Sequence, residues 1–288
     1  MHAENHAFGL AVVFSVVLLV LSVAAAGQTA APPEETAVVF GQNIRYFEAG
    51  QGPAVILLHG LGAVKEVWLP SLGALSGKYH VYAIDQLGFG RSDKPLLEYE
   101  IATWVDFLQG FMQSQNIPKA TIVGNSLGGW IAVDFAVQHP DMVDKLVLVD
   151  SAGLTRGQGG APIPLNPSSI AETRTLLEGV FYDKKIVTDQ LILLVFTNHM
   201  RNNDGYTIQR TLAGLAHPQF EDDKLKSIHA PTLVVWGRQD QLIGVDRGEK
   251  FRDGIPGAKL VVIEQCGHAP QIEKPAEFNQ AVLDFFAK

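Results

Sequence analysis

The 288-residue chain is long enough to bury a substantial core, as one large domain or one domain carrying an insertion. Its net charge of −8 argues against nucleic acid as a partner, because such binding depends on neutralising phosphates with Lys and Arg, and no basic cluster offsets the excess. The single cysteine, Cys266, excludes an intramolecular disulfide and a multi-thiolate metal centre.

Residues 8–27, FGLAVVFSVVLLVLSVAAAG, carry no charged side chain and close on Ala24, Ala25 and Ala26. Such a run with an A-x-A-like exit predicts a secretory signal over residues 1–27, although MHAENHA lacks the Lys or Arg usual at its start. Its length is near the roughly 20 residues that span a bilayer, so retention as a membrane anchor is the alternative. In both cases the folded part is expected outside the cytoplasm, exported to the periplasm or secreted. Residues 28–36 read as a polar linker, and the folded domain is expected over 37–288.

AVVF and NIRYFEAG predict a hairpin at the domain edge. Six short apolar runs follow: AVILLH (54–59), HVYAID (80–85), ATIVGN (120–125), KLVLVD (145–150), PTLVVWG (231–237) and KLVVIEQ (259–265). Near-continuous apolar strands of this length fit a parallel sheet covered on both faces. TWVDFLQGFMQSQNI and GWIAVDFAVQHP repeat apolar residues at helical spacing, as crossovers between parallel strands require. The fold class is therefore α/β, a mostly parallel central sheet flanked by helices. EKPAEFNQAVLDFFAK predicts a closing helix with Glu273 and Glu277 near its start and Lys288 near its end, the polarity that the helix dipole favours.

The alternation breaks over about 154–230. RGQGGAPIPLNPSS is a Gly/Pro/Ser loop, and AETRTLLEGVF, TDQLILLVFTNHMRN and YTIQRTLAGLAH read as helices. Such an excursion between the sixth and seventh strands predicts a helical lid, where substrate selection would reside. Phe181, Leu191, Leu194, Phe196, Met200 and Leu215 are its candidate pocket-lining residues, and His199 and His217 are expected near its surface.

The stretch IVGNSLGGW sets Ser126 between a strand and a helix, with Gly124 and Gly128 on either side. Glycines there make room for a sharp turn that projects the serine above the sheet. A hydroxyl is a weak nucleophile without a base, and His268 follows VVIEQ in a loop after the last strand. Asp240, just after VVWGRQ, can hold that imidazole in one tautomer. Ser126, Asp240 and His268 each follow the C-terminal end of a strand, where sites collect in open α/β sheets. The backbone N–H of Leu127 is one candidate oxyanion donor, and that of Leu61, in HGLG after AVILLH, is the second.

In combination, LLHGLGAVKEVW (57–68), AIDQLGFGRSDKP (83–95), TIVGNSLGGWIAVDFAVQHPDMV (121–143), KLVLVDSAG (145–153), PTLVVWGRQDQLI (231–243) and CGHAPQIEKPAEF (266–278) resemble the α/β-hydrolase superfamily, in its lid-bearing branch. The resemblance covers roughly Asn43 to Ala287. It implies Ser126 as nucleophile, Asp240 as acid, His268 as base, Leu61 and Leu127 as oxyanion-hole amides, and no cofactor or metal. Asp150, at the end of LVLVD, holds the histidine in a minority arrangement of the family, and Asp85 more often supports loop structure. His59 is expected to bond within its loop and Cys266 to be a buried apolar thiol. Gly88, Gly90, Arg91 and Ser92 imitate a phosphate loop, but without the strand-to-helix context of one.

A serine at position 126 excludes relatives that use an aspartate nucleophile, the haloalkane dehalogenases and epoxide hydrolases. The expected activity is hydrolysis of a small carboxylic ester through an acyl-enzyme. The alternative is hydrolysis of a carbon–carbon bond in a vinylogous 1,5-diketone, since GNSLGG resembles the nucleophile segment of meta-cleavage product hydrolases. Against it stand the missing Gly-Pro-Gly-type extension in HGLGAVKEVW and Pro270 two residues after His268, where no tryptophan is near. Export also fits poorly with intracellular aromatic degradation. Cofactor-free perhydrolase or haloperoxidase chemistry is a third use of the same triad. A catalytically silent binding protein on this fold would lose a triad member, and none is missing here.

Overall fold

The computed structural model describes residues 31–154, 163–214 and 222–288. Residues 1–27, expected above to be a secretory signal or anchor, and Leu215 and His217 lie outside the described residues. Among the described residues no helix is long and apolar enough to cross a membrane.

Eight strands form one sheet: β1 (Glu34–Val39), β2 (Gln42–Ala49), β3 (Ala54–Leu58), β4 (His80–Ile84), β5 (Ala120–Asn125), β6 (Val143–Val149), β7 (Thr232–Gly237) and β8 (Lys259–Ile263). Their order is β1-β2-β4-β3-β5-β6-β7-β8, with β2 antiparallel to both neighbours and every pair from β4 to β8 parallel. The expected hairpin is β1–β2, and β1 begins at Glu34, inside the stretch read as linker.

Alternation along the buried strands supplies both faces. Ile56, Leu58, Tyr82, Ile84, Leu146, Leu148, Val234 and Trp236 face one core, built with α2 (Ile101–Ser114), α3 (Leu127–Gln138) and α7 (Asp246–Gly254). Val55, Leu57, Val81, Ala83, Val147, Val149, Leu233 and Val235 face a second, closed by α1 (Leu69–Leu75) and α9 (Pro275–Phe286). Burial on both faces is why these strands read as unbroken apolar runs. Each Val, Leu or Ile side chain among them removed from water contributes about 1.5–3 kcal/mol.

Between β6 and β7 lie α4 (Ile170–Val180), α5 (Asp189–Asn202) and α6 (Gly205–Gly214). Ser169 caps α4 by accepting the Glu172 N–H at 3.2 Å, and Thr188 caps α5 by accepting the Leu191 N–H at 3.2 Å. Asn203, at φ 56°, ends α5 in the left-handed conformation that asparagine tolerates. Leu177, Phe181, Val187 and Ile192 form a small cluster of their own with Ala269, next to His268. Leu191 is packed at its edge, whereas Met200 is 54% exposed and His199 half-buried.

The closing helix starts at Pro275, and a short separate helix precedes it. Proline at 275 separates α8 (Pro270–Glu273) from α9, and Glu273 is buried instead of facing a helix dipole. Its carboxylate accepts the N–H groups of Gly267 at 2.6 Å, Asp183 at 2.6 Å and Tyr182 at 3.3 Å.

Candidate active site

The strand order reverses at β3 and β5: from β3 the chain moves outward to β4, then returns to the other side of β3. The crevice at the carboxyl ends of such a pair is where open α/β sheets place ligands. Two loops meet there, HGLG after β3 and the turn carrying Ser126 after β5.

Ser126 holds φ 55° and ψ −114°, a strained conformation for a residue with a Cβ. Its carbonyl accepts the N–H groups of Gly129 at 3.0 Å, Trp130 at 3.2 Å and Ala152 at 3.0 Å, while its own N–H donates to Val149 O at 3.0 Å. These bonds hold the strain and leave the side chain half-buried. Glycine is required at 128, where a Cβ would strike Leu58 O and come within 2.7 Å of His59 O. On the facing loop a Cβ at Gly60 would press Ser126 Cβ at 3.2 Å, so HGLG lies directly against the nucleophile candidate. Neither the Leu61 N–H, next in that loop, nor the Leu127 N–H, first in α3, has a hydrogen-bond partner among the described residues.

His268 and Asp240 meet directly, Nδ1 to Oδ2 at 2.6 Å, with Asp240's side chain wholly buried. Asp240 Oδ1 accepts the N–H groups of Leu242 at 2.8 Å and Ile243 at 3.0 Å. A carboxylate acceptor fixes the proton on Nδ1 and leaves Nε2 free to take one. His268 N–H donates to Val180 O at 2.7 Å, fastening the histidine loop to the end of α4.

Asn125 and Glu273 complete the frame, and neither stood out from motif spacing. The Asn125 side-chain amide donates to Val149 O at 3.1 Å and His268 O at 3.2 Å, which ties the strand before Ser126 to the histidine loop. An asparagine closing a fully buried strand was the available signal, because a buried amide needs partners.

His59, Asp85 and Lys65 have structural partners. The Gln86 N–H donates to His59 Nε2 at 3.1 Å, which leaves the ring proton on Nδ1 toward Gly60 O at 2.8 Å, and burial lowers this imidazole's pKa. Asp85 accepts the Lys65 N–H at 2.7 Å, Lys65 Nζ at 2.8 Å and the Arg91 N–H at 3.0 Å, so the 88–92 loop encloses a carboxylate instead of offering amides to a phosphate. Lys65 itself is fully buried; burial alone would lower its pKa, but Asp85 and Glu66 outweigh it and raise it. Burial pushes the Cys266 thiol up, as expected for an inert thiol. Asp150, Asp240 and His268 offer ligand atoms within 4.8 Å of one another, but Nδ1 is committed to Asp240, which makes the cluster an acid–base arrangement.

The sequence profile of the alpha/beta hydrolase family matches residues 55–281. The chain belongs to the alpha/beta hydrolase family. This hydrolase is 34% identical to the 2-hydroxymuconate semialdehyde hydrolase of Pseudomonas sp. (strain CF600), over 87% of this chain and 93% of that one. The meta-cleavage product hydrolase of Pseudomonas fluorescens IP01 superposes with a TM-score of 0.79 at 31% identity, covering 88% of this chain and 97% of that one. A bacterial membrane phospholipase A superposes with a TM-score of 0.80 at 27% identity, covering 99% and 98%.

Proposed function

We propose that this hydrolase cleaves the carbon–carbon bond of a vinylogous 1,5-diketone, a meta-cleavage product, in preference to the carboxylic ester that motif spacing alone favours. The similarity to a semialdehyde hydrolase across nearly the whole chain is the observation that carries this substrate class. Ser126 is the nucleophile, His268 the general base, Asp240 the carboxylate that orients it, and Leu61 and Leu127 the oxyanion donors. Helices α4–α6 are the lid that selects the acyl portion.

Ketonisation of a 2-hydroxy-6-oxo-dienoate moves the hydroxyl proton to C5. Ser126 Oγ then adds to C6 while its proton passes to His268 Nε2, and the two free amides bind the oxyanion. Collapse breaks the C5–C6 bond, the electron pair enters the dienolate, and His268 returns the proton to that fragment. Water, deprotonated by the same ring, then releases the acid from Ser126. One water is consumed and no cofactor is used.

Ester cleavage is the second reading, and HGLGAV and Ala269-Pro270 after His268 favour it, because both depart from the carbon–carbon group. The two are separated by kcat/KM for 2-hydroxymuconate semialdehyde and 2-hydroxy-6-oxo-6-phenylhexa-2,4-dienoate against p-nitrophenyl butyrate. Faster dienoate turnover is the expected result. Ester turnover with no loss of dienoate absorbance overturns the proposal in favour of an esterase.

A further inference from the structure

Asp150 directly follows β6 and is fully buried at φ 41°, with no role in the triad as described. Its Oδ1 accepts the Gly237 N–H at 2.9 Å. Its Oδ2, equally buried, has no hydrogen-bond partner among the described residues, and the carboxyl lies within the 4.8 Å cluster that holds Asp240 and His268. The groups that act on it are the carboxylates of Asp240 and Glu273, from the loop after β7 and from α8, with the His268 ring beside them. Among the described residues no Lys or Arg forms an ion pair with Asp150 or Asp240.

Two adjacent carboxylates shut away from water do not both stay ionised when one imidazole serves only one of them. The hydrogen bonds say which keeps the charge: Asp240 has three donors, from Leu242, Ile243 and His268, and Asp150 has one. Burial first, then the charge of Asp240, push the Asp150 carboxyl well above the usual carboxylate range, against the pull of the Gly237 N–H.

We propose that Asp150 is a proton-holding positioning residue: its carboxyl is neutral in the working enzyme, and the acid of the triad is an Asp150–Asp240 pair carrying a single negative charge. This rests on the triad assigned above. A second full charge inside the cluster would set two buried negative charges against one imidazole. A neutral Asp150 avoids that, while its carboxyl fills the buried space behind Asp240 with a group that can donate to it.

The test is infrared difference spectroscopy of the full chain at pH 8, in water and in D₂O, joined to pH profiles of kcat/KM. The wild-type protein and Ser126→Ala are expected to show the C=O band of a protonated carboxyl that shifts in D₂O and is missing from Asp150→Asn. The acid limb of the Asp150→Asn profile is expected to coincide with that of the wild type, because the amide copies the neutral acid. Absence of the band, or an acid limb lowered by about one pH unit in Asp150→Asn, overturns the proposal. Asp240→Asn supplies a second handle should Asp150→Asn fail to fold. Removing the neighbouring charge should make the band titrate away at lower pH, and an unchanged titration contradicts the pair. The band is read without turnover, so it stands or falls separately from the triad, which fails if Ser126→Ala keeps activity.

Discussion

His268 Nδ1 stands 2.6 Å from Asp240 Oδ2, and the second oxygen of that carboxylate is held by the N–H groups of Leu242 and Ile243. The loop after β7 therefore fixes the carboxylate, and the carboxylate fixes the ring. An amide at 240 can accept where it should and still present the wrong tautomer of the imidazole. Asp240→Asn is expected to lower kcat by on the order of 10³–10⁴-fold with KM little changed. Steady-state kinetics showing a loss smaller than about tenfold would place the acid elsewhere.

The backbone at Ser126 is strained whatever the side chain, unless the Cβ is removed. Ser126→Ala should abolish turnover and keep the strain, whereas Ser126→Gly should abolish turnover and gain about 1 kcal/mol of stability over alanine. Urea unfolding of the two variants reads the difference, and equal stabilities would mean the turn is unstrained.

Gly128→Ala would push against the carbonyls of Leu58 and His59, which lead into the HGLG loop proposed to supply an oxyanion donor. The expected cost is about 1–3 kcal/mol in stability and about 10²-fold in kcat, as the Leu61 amide is displaced. Wild-type kinetics in a folded Gly128→Ala would show that this contact is not needed.

The sheet was legible because every buried strand is covered on both faces, so β3 through β7 announce themselves as apolar runs with ends within two residues of those observed. The contact of His268 with Asp240 and the sharp turn at Ser126 could be anticipated because each residue sits past a strand end, in a loop of fixed character. Glu273 was misread because a carboxylate near a helix start looks the same whether it serves that helix or distant amides; only the tertiary approach of Gly267 and Asp183 distinguishes them. The substrate was not legible, because the motif spacing describes acyl transfer to serine, and an ester and a ketone offer the same carbonyl to it.

Glu273 joins the histidine loop to the start of the segment after α4. Glu273→Ala leaves the N–H groups of Gly267, Asp183 and Tyr182 without their acceptor and should cost about 3 kcal/mol or more, with Glu273→Gln in between. Denaturant titration checks this, and a cost below about 1 kcal/mol would show that the loop is held by other contacts.

Asp204, between α5 and α6, is buried beside Lys94 at 3.7 Å, and burial pushes its carboxyl up to about 7. A carboxyl raised in the folded state contributes stability that is full below its unfolded value, about 4, and is lost as pH rises through about 7. Asp204→Asn should therefore raise Tm at pH 8 and change it little at pH 4 relative to wild type. A Tm difference that does not grow with pH would show that Asp204 is ionised throughout.

The central claim is that Ser126, activated by His268, forms the covalent intermediate. Fluorophosphonate labelling followed by intact-mass measurement and peptide mapping tests it most directly. The account predicts one adduct per chain, on Ser126, absent from Ser126→Ala and strongly slowed in His268→Ala. An adduct on another residue, or undiminished labelling of Ser126→Ala, would contradict it.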